Sequence, residues 1–274
     1  MKKLSFLVLL STFALFHSAL LQAEVQKTLT VGFGMNKPPY VFEKEDSGLE
    51  VEIFREAAHA AGFEVKSFFG PLERLKSKLL NGELDAITIT NMNENLHSYN
   101  SVPFIIYHNY AIALKKKNLN IKTISDLKNY SITSFQRSRD LLGSEFAKMS
   151  SENPQYREFA DQKLRNIQLY KGRADVAIGD IRIFEYFNSQ IEDSVDTTQP
   201  IALFKLFKEN HYQAAFRSES VMKKFNEGLV VIKKNGTYEK IEKKYSNYKK
   251  SKEVPAKKML DSQMKSKAFI AKAF

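Results

Sequence analysis

Apolar positions along this chain alternate between two periods. "LTVGF", from Leu29, has the character of a short strand, and Leu49, Ile53, Ala57 and Ala60 then fall on one helical face. Gly62 stands where a helix C-cap belongs, and "FEVKSFF" resumes extended character, which completes one βαβ unit. A second helix is predicted from Pro71, suited to a first-turn position, through Leu72, Leu75, Leu79 and Leu80. "GELDAITIT" then returns to a strand, so a parallel α/β architecture is expected.

The pattern repeats once, at long range. "LLNGELDAITIT" and "QLYKGRADVAIGD" share apolar-x-Gly-x-x-Asp-small-x, which matches Gly82 with Gly172, Asp85 with Asp175, and Thr90 with Asp180. The separation is too long for a solenoid repeat, so two similar α/β lobes are predicted. Ligands of open α/β sheets collect beyond the carboxyl ends of strands. Two lobes with those ends face to face would set Thr90 and Asp180 across a cleft. Asp180 also suits the N-cap of "IRIFEYF", and the two roles are compatible.

Composition narrows the class. "MKKLSFLVLLSTFALFHSALLQAE" has two lysines, an apolar run and Ala23 before Glu24, the layout of a cleavable secretory signal; a retained anchor is the alternative. With no cysteine, neither a lipid-modified cysteine nor a disulfide framework is available. The net charge of +11 resides mostly at the ends: Lys2 and Lys3 lie in the leader, and the stretch from Asn247 has eight lysines against Glu253 and Asp261. The body lacks the basic footprint of a nucleic-acid binder.

In order along the chain, "PPYVFEKEDSGLEVEIFREAAHAAG", "LLNGELDAITIT", "SVPFIIYHNYAIALKK", "TISDLKNYSIT", "KGRADVAIGD" and "VMKKFNEGLVVIKKNGTYEKIEKKY" resemble segments of the family 3 extracellular solute-binding proteins, periplasmic components of ABC importers for polar amino acids and related compounds. The resemblance runs from about Thr28 to Tyr245. It implies a two-lobe periplasmic binding protein fold (type II), each lobe a mixed sheet flanked by helices, joined by a two-crossing hinge. Residues 1–23 would be a signal peptide, 24–112 the first part of lobe 1, 113–207 lobe 2, 208–246 the return segment of lobe 1, and 247–274 a basic C-terminal tail. The hinge crossings would lie near Ala111–Leu114 and Leu206–Gln213, allowing closure around a ligand.

The same resemblance implies candidate ligand contacts, each with a plainer rival. Tyr40 follows a Pro-Pro turn where the family places a stacking aromatic; packing is the rival. Ser138, after Arg137 in "SFQRSRD", lies where the family offers a hydroxyl and helix N-terminal N–H groups to an anionic group; a simple N-cap is the rival. Arg137 replaces a usual glycine. Glu50 and Glu52, at the start of the first long helix, are assigned mainly to structure. The arginine that clamps a carboxylate in the family is missing: "TNMNENLHSYNSVPF" supplies Asn95, or His97 under another alignment, with Asn91 nearby. An amide cannot reproduce a guanidinium's paired charge-assisted bonds. Gly34 and Lys37 stand where an acid and a tyrosine are common in the family. A replacement cation is expected from Arg74, Lys37 or Arg137, although an arginine placed like Arg74 is more often solvated.

His59, His97, His108 and His211 lack metal-ligand spacing, and no nucleophile elbow or phosphate loop occurs, so no metal, cofactor or catalytic residue is predicted. The expectation is a monomeric, non-enzymatic, periplasmic receptor for a small polar solute, working with an ABC permease. The alternatives are a binding protein that presents its closed form to a membrane receptor, and a dehydratase of a cyclic acid on the same fold. The tail is expected to be a frayed extension, with a surface helix on anionic lipid as the sharper alternative.

Overall fold

The computed structural model describes residues 27–90 and 97–246. The predicted signal peptide, the basic tail, Asn91 and Asn95 lie outside the described residues, as does the side chain of Thr90.

Two five-stranded sheet paths of matching design form the lobes. In the first, β1 (Lys27–Phe33) lies parallel to β2 (Phe63–Phe69) and β3 (Ala86–Thr90). Beyond β3 come β11 (Asn210–Phe216) and β4 (Tyr99–Asn100), both antiparallel joins, while β5 (Ile105–Tyr107) also pairs with β11. In the second, β7 (Ile132–Phe135) lies parallel to β8 (Tyr156–Phe159) and β9 (Val176–Asp180), and antiparallel joins add β6 (Asn109–Leu114) and β10 (Ile201–Phe204). The order β2-β1-β3-β11-β4 thus maps onto β8-β7-β9-β6-β10. Strands β3 and β9, which carry the repeated motif, hold the central position in each.

Helix α1 (Leu49–Ala60) buries Phe54, Ala57 and Ala58, but Ala60, expected on the apolar face, is exposed. Phe54 sits among Phe33, Phe104, Phe216 and Phe225, the aromatic centre of the first lobe. Each ring of this size contributes about 1.5–3 kcal/mol by leaving water. Pro71 caps α2 (Leu72–Leu80) rather than occupying its first turn, and Leu80 is exposed. In the second lobe, β9 has no exposed residue: Val176 and Ile178 join one apolar cluster and Ala177 another, as a strand covered on both faces requires.

The first crossing lies earlier than expected. Ala111–Leu114 belong to β6, an interior strand bonded to both β9 and β10, so the chain passes between sheets at His108. The run "YAIAL" satisfies sheet burial, not hinge freedom. The return crossing occupies residues 205–209, between β10 and β11. Helices α7 (Glu219–Lys234) and α8 (Thr237–Ser246) pack back on α1 and complete the first lobe. Among the described residues, no helix is long and apolar enough to cross a membrane.

Candidate functional site

Asp180 ends β9 and caps α6 (Ile181–Asn188), accepting the Ile183 N–H at 3.1 Å on Oδ1. Its Oδ2 accepts the His108 N–H at 2.8 Å and the Tyr40 hydroxyl at 2.9 Å. Tyr40 belongs to the first lobe, so this last bond joins the lobes. Burial pushes the Asp180 carboxyl above its ordinary value, against the pull of these donors and of Arg182. Directly behind, the fully buried Arg165 of α5 (Gln162–Tyr170) donates to Gln162, Asn166 and the Ile178 carbonyl, with no ion pair to an acid among the described residues. Burial pulls its guanidinium down to about 10, and Asp180 opposes that shift.

On the facing lobe, Tyr40 stacks on Tyr107 with ring centres 3.8 Å apart, and Tyr212 meets Tyr107 edge-on at 5.0 Å. The Tyr107 hydroxyl donates to buried Glu50 at 3.1 Å, and Thr88 donates to its other oxygen at 2.6 Å. Burial raises the Glu50 carboxyl, with Lys37 the strongest opposing influence. Lys37 Nζ lies 4.9 Å above the Tyr107 ring. These groups surround a cavity of about 210 Å³ between the lobes. Lys37, Tyr107, Asn210 and Tyr212 line it from one side; Asn109, Gln162 and Asp180, with the apolar Phe135, Leu141, Leu142 and Ile183, line it from the other.

Of the residues singled out from sequence, Asp180 and Tyr40 are brought together and Lys37 lies beside them. Thr90 closes β3 in register with Gln213. Three others are placed away from the cavity. Arg74 is exposed and lies over the Phe68 ring at 5.4 Å. Arg137 adopts a left-handed backbone, φ 64°, which explains why glycine suits this position, and its largely exposed side chain faces Asp140 at 3.6 Å. Ser138 is buried against Tyr156 and Glu158. The N–H groups of Arg137 and Arg139, expected to await a solute, donate to Glu158 at 2.8 and 3.1 Å, and Tyr156 adds a third donor at 2.7 Å. Burial pushes the Glu158 carboxyl up, but these donors outweigh it and hold it below its ordinary value. Glu52 ties α1 to Lys244 and Tyr245.

Sequence reasoning missed Tyr107, Asn109, Gln162, Asn210 and Tyr212. Asn109 and Asn210 flank the two lobe crossings, and polar residues interrupting apolar strands there are the one available signal. Gln162 and Tyr212 carry none. Among the described residues, no group of three or more acids and histidines is placed to hold a metal ion.

The two-lobed α/β arrangement with a polar cavity between its lobes is the type II periplasmic binding protein fold. The chain belongs to the bacterial extracellular solute-binding proteins, family 3, which it matches over residues 29–248. It is 26% identical to the probable amino-acid-binding protein YxeM of Bacillus subtilis (strain 168), covering 82% of this chain and 86% of that protein. It is 27% identical to the arginine-binding extracellular protein ArtP of the same organism, over 80% and 86% of the two chains. Among solved structures, a histidine kinase sensor domain with similarity to periplasmic binding proteins superposes with a TM-score of 0.59 at 20% identity, covering 80% of this chain and 96% of that one.

Proposed function

We propose that this protein captures a small polar solute, an amino acid or related compound, between its lobes by hinge closure and delivers it to an ABC importer. The observation that carries this reading is the cavity bounded by both lobes with Asp180 on its wall. Asp180 leads the contacts, backed by Tyr40, with Thr90, Asn91 and Asn95 as further candidate ligand groups. The protein is exported through residues 1–23 and works in the periplasm as a monomer, without catalysis.

A ligand of the native state raises its apparent stability. Thermal unfolding of the purified protein against amino acids, polyamines, dicarboxylates and small peptides is expected to return one class that raises the midpoint. Asp180→Asn is expected to abolish that shift. A screen in which every class leaves the midpoint unchanged sinks the reading. The fold shared with a sensor domain supports a second version, in which the closed form is presented to a receptor; co-purification with a membrane receptor rather than a permease would establish it.

A further inference from the structure

The cavity carries one charge of each sign on opposing walls. Asp180 is held from behind by Arg165 and from the side by Arg182, with two backbone N–H groups on its oxygens. Lys37 has no comparable satisfaction. Its backbone is fixed in a turn, with the Lys37 carbonyl accepting from Tyr40 and Val41 at 2.9 and 3.0 Å, which directs the half-buried side chain along the cavity wall. Its ammonium rests on the Tyr107 ring and hydrogen-bonds no other described residue. Burial pulls the Lys37 ammonium below its ordinary value, and Glu50 and Asp180 oppose that only from beyond ion-pair distance, Glu50 already having Thr88 and Tyr107 as donors. An ammonium with three donors, an aromatic face on one side and a polar cavity on the other lacks an acceptor.

Resting on the solute-binding reading above, we propose that Lys37 receives the anionic group of the solute and sets its charge class. The solute is a zwitterion whose ammonium meets Asp180 on one lobe and whose anion meets Lys37 on the other, with an uncharged body against Phe135, Leu141 and Leu142. The solute's anion gives Lys37 the acceptor it lacks, and a basic side chain or a diamine places a second cation against Lys37. Lysine is a point charge, so the anion is selected by sign and position rather than by bidentate shape. The arrangement couples charge recognition to closure, because only a solute bearing both signs bridges the lobes.

Isothermal titration of the purified protein tests this with six probes: L-alanine and L-leucine, their two carboxamides (which keep the ammonium and lose the anion), and L-arginine and putrescine as cation-rich comparators. At least one zwitterion is expected to bind, its carboxamide about tenfold or more weaker, and arginine and putrescine weaker still. In Lys37→Met the penalty for the carboxamide collapses to within about threefold and the cationic probes gain; Lys37→Arg keeps the wild-type order. A gain for cations cannot come from misfolding, so the variant remains informative even if less stable. Zwitterions that fail to bind, carboxamides equal to their parents in the wild type, or an unchanged penalty in Lys37→Met overturn the assignment. Cations that bind through Asp180 and ignore Lys37→Met overturn it while leaving the solute-binding reading intact; silence from every charge class removes both.

Discussion

Asp180 shows how one residue serves as cap, interlobe link and candidate ligand group at 4% exposure. A buried carboxylate is costly unless its oxygens are occupied, and here three donors occupy them. Gly179 permits the rest: a Cβ there would lie 2.2 Å from the Arg165 guanidinium, so glycine lets that cation sit beneath the carboxylate. The pH consequence has a definite sign. Burial raises the Asp180 carboxyl above 3.8, so the folded state holds its proton more tightly than the unfolded chain does, and this group alone favours folding as pH falls. Affinity for an ammonium moves oppositely, because only the carboxylate attracts it. Titration of the bound solute across falling pH is expected to show affinity declining at a pH above 3.8, approaching about tenfold per unit below the folded pKa. A decline centred at or below 3.8 would mean that Asp180 does not meet the ammonium.

At the level of elements, the repeated motif has a mechanical meaning. Gly82 and Gly172 end their helices at φ 78° and 69°, the left-handed turn that brings the chain back to the sheet. Three residues on, Asp85 accepts the Thr30 N–H at 2.9 Å and Asp175 accepts the Ser131 N–H at 3.1 Å, so each carboxylate pins a new strand to its parallel neighbour. Each also has a cation from a distant segment, Arg217 for Asp85 and Lys117 for Asp175, both in contact. Asp175→Ala removes the bonds from Ser131 N–H and Oγ and is expected to destabilise the protein by about 1–3 kcal/mol in urea unfolding, with solute affinity retained once folded. A loss below about 0.5 kcal/mol would show that the pin is dispensable. This layer was legible from the chain because glycine, aspartate and the apolar run act within a few residues. The crossing at His108 was not, since "YAIAL" fits an extended linker and a covered strand equally well. Nor was Glu158's hold on the Arg137 and Arg139 N–H groups, or the Tyr40–Asp180 bond across 140 residues, because both depend on tertiary approach.

For the whole molecule, the question is what holds the two lobes together besides the crossings. Helix α6 of the second lobe places Ile183 and Tyr186 in the apolar cluster of the first, and Tyr186 meets Phe42 at 5.7 Å. Arg182 on the same helix pairs with Glu242 of α8 at 2.9 Å. Tyr40 and Asp180 add a hydrogen bond to this seam of apolar contacts and an ion pair. Such a seam favours the joined arrangement without locking it, so the solute need supply only the remaining preference for closure. The ion pair is the element that can be removed with least disturbance: Glu242 is on the surface, and Glu242→Gln keeps its shape. With Arg182 mostly buried and Glu242 half-exposed, the pair contributes about 1 kcal/mol. If closure and binding are linked, losing it lowers the fraction of molecules ready to bind and weakens apparent affinity by up to about fivefold. The same variant is expected to increase the radius of gyration of the solute-free protein in small-angle scattering and to return to the wild-type value at saturation. An affinity loss without any change in scattering would place the effect within the site rather than between the lobes, whereas neither change would show that the ion pair is dispensable and the remaining contacts set the joined state.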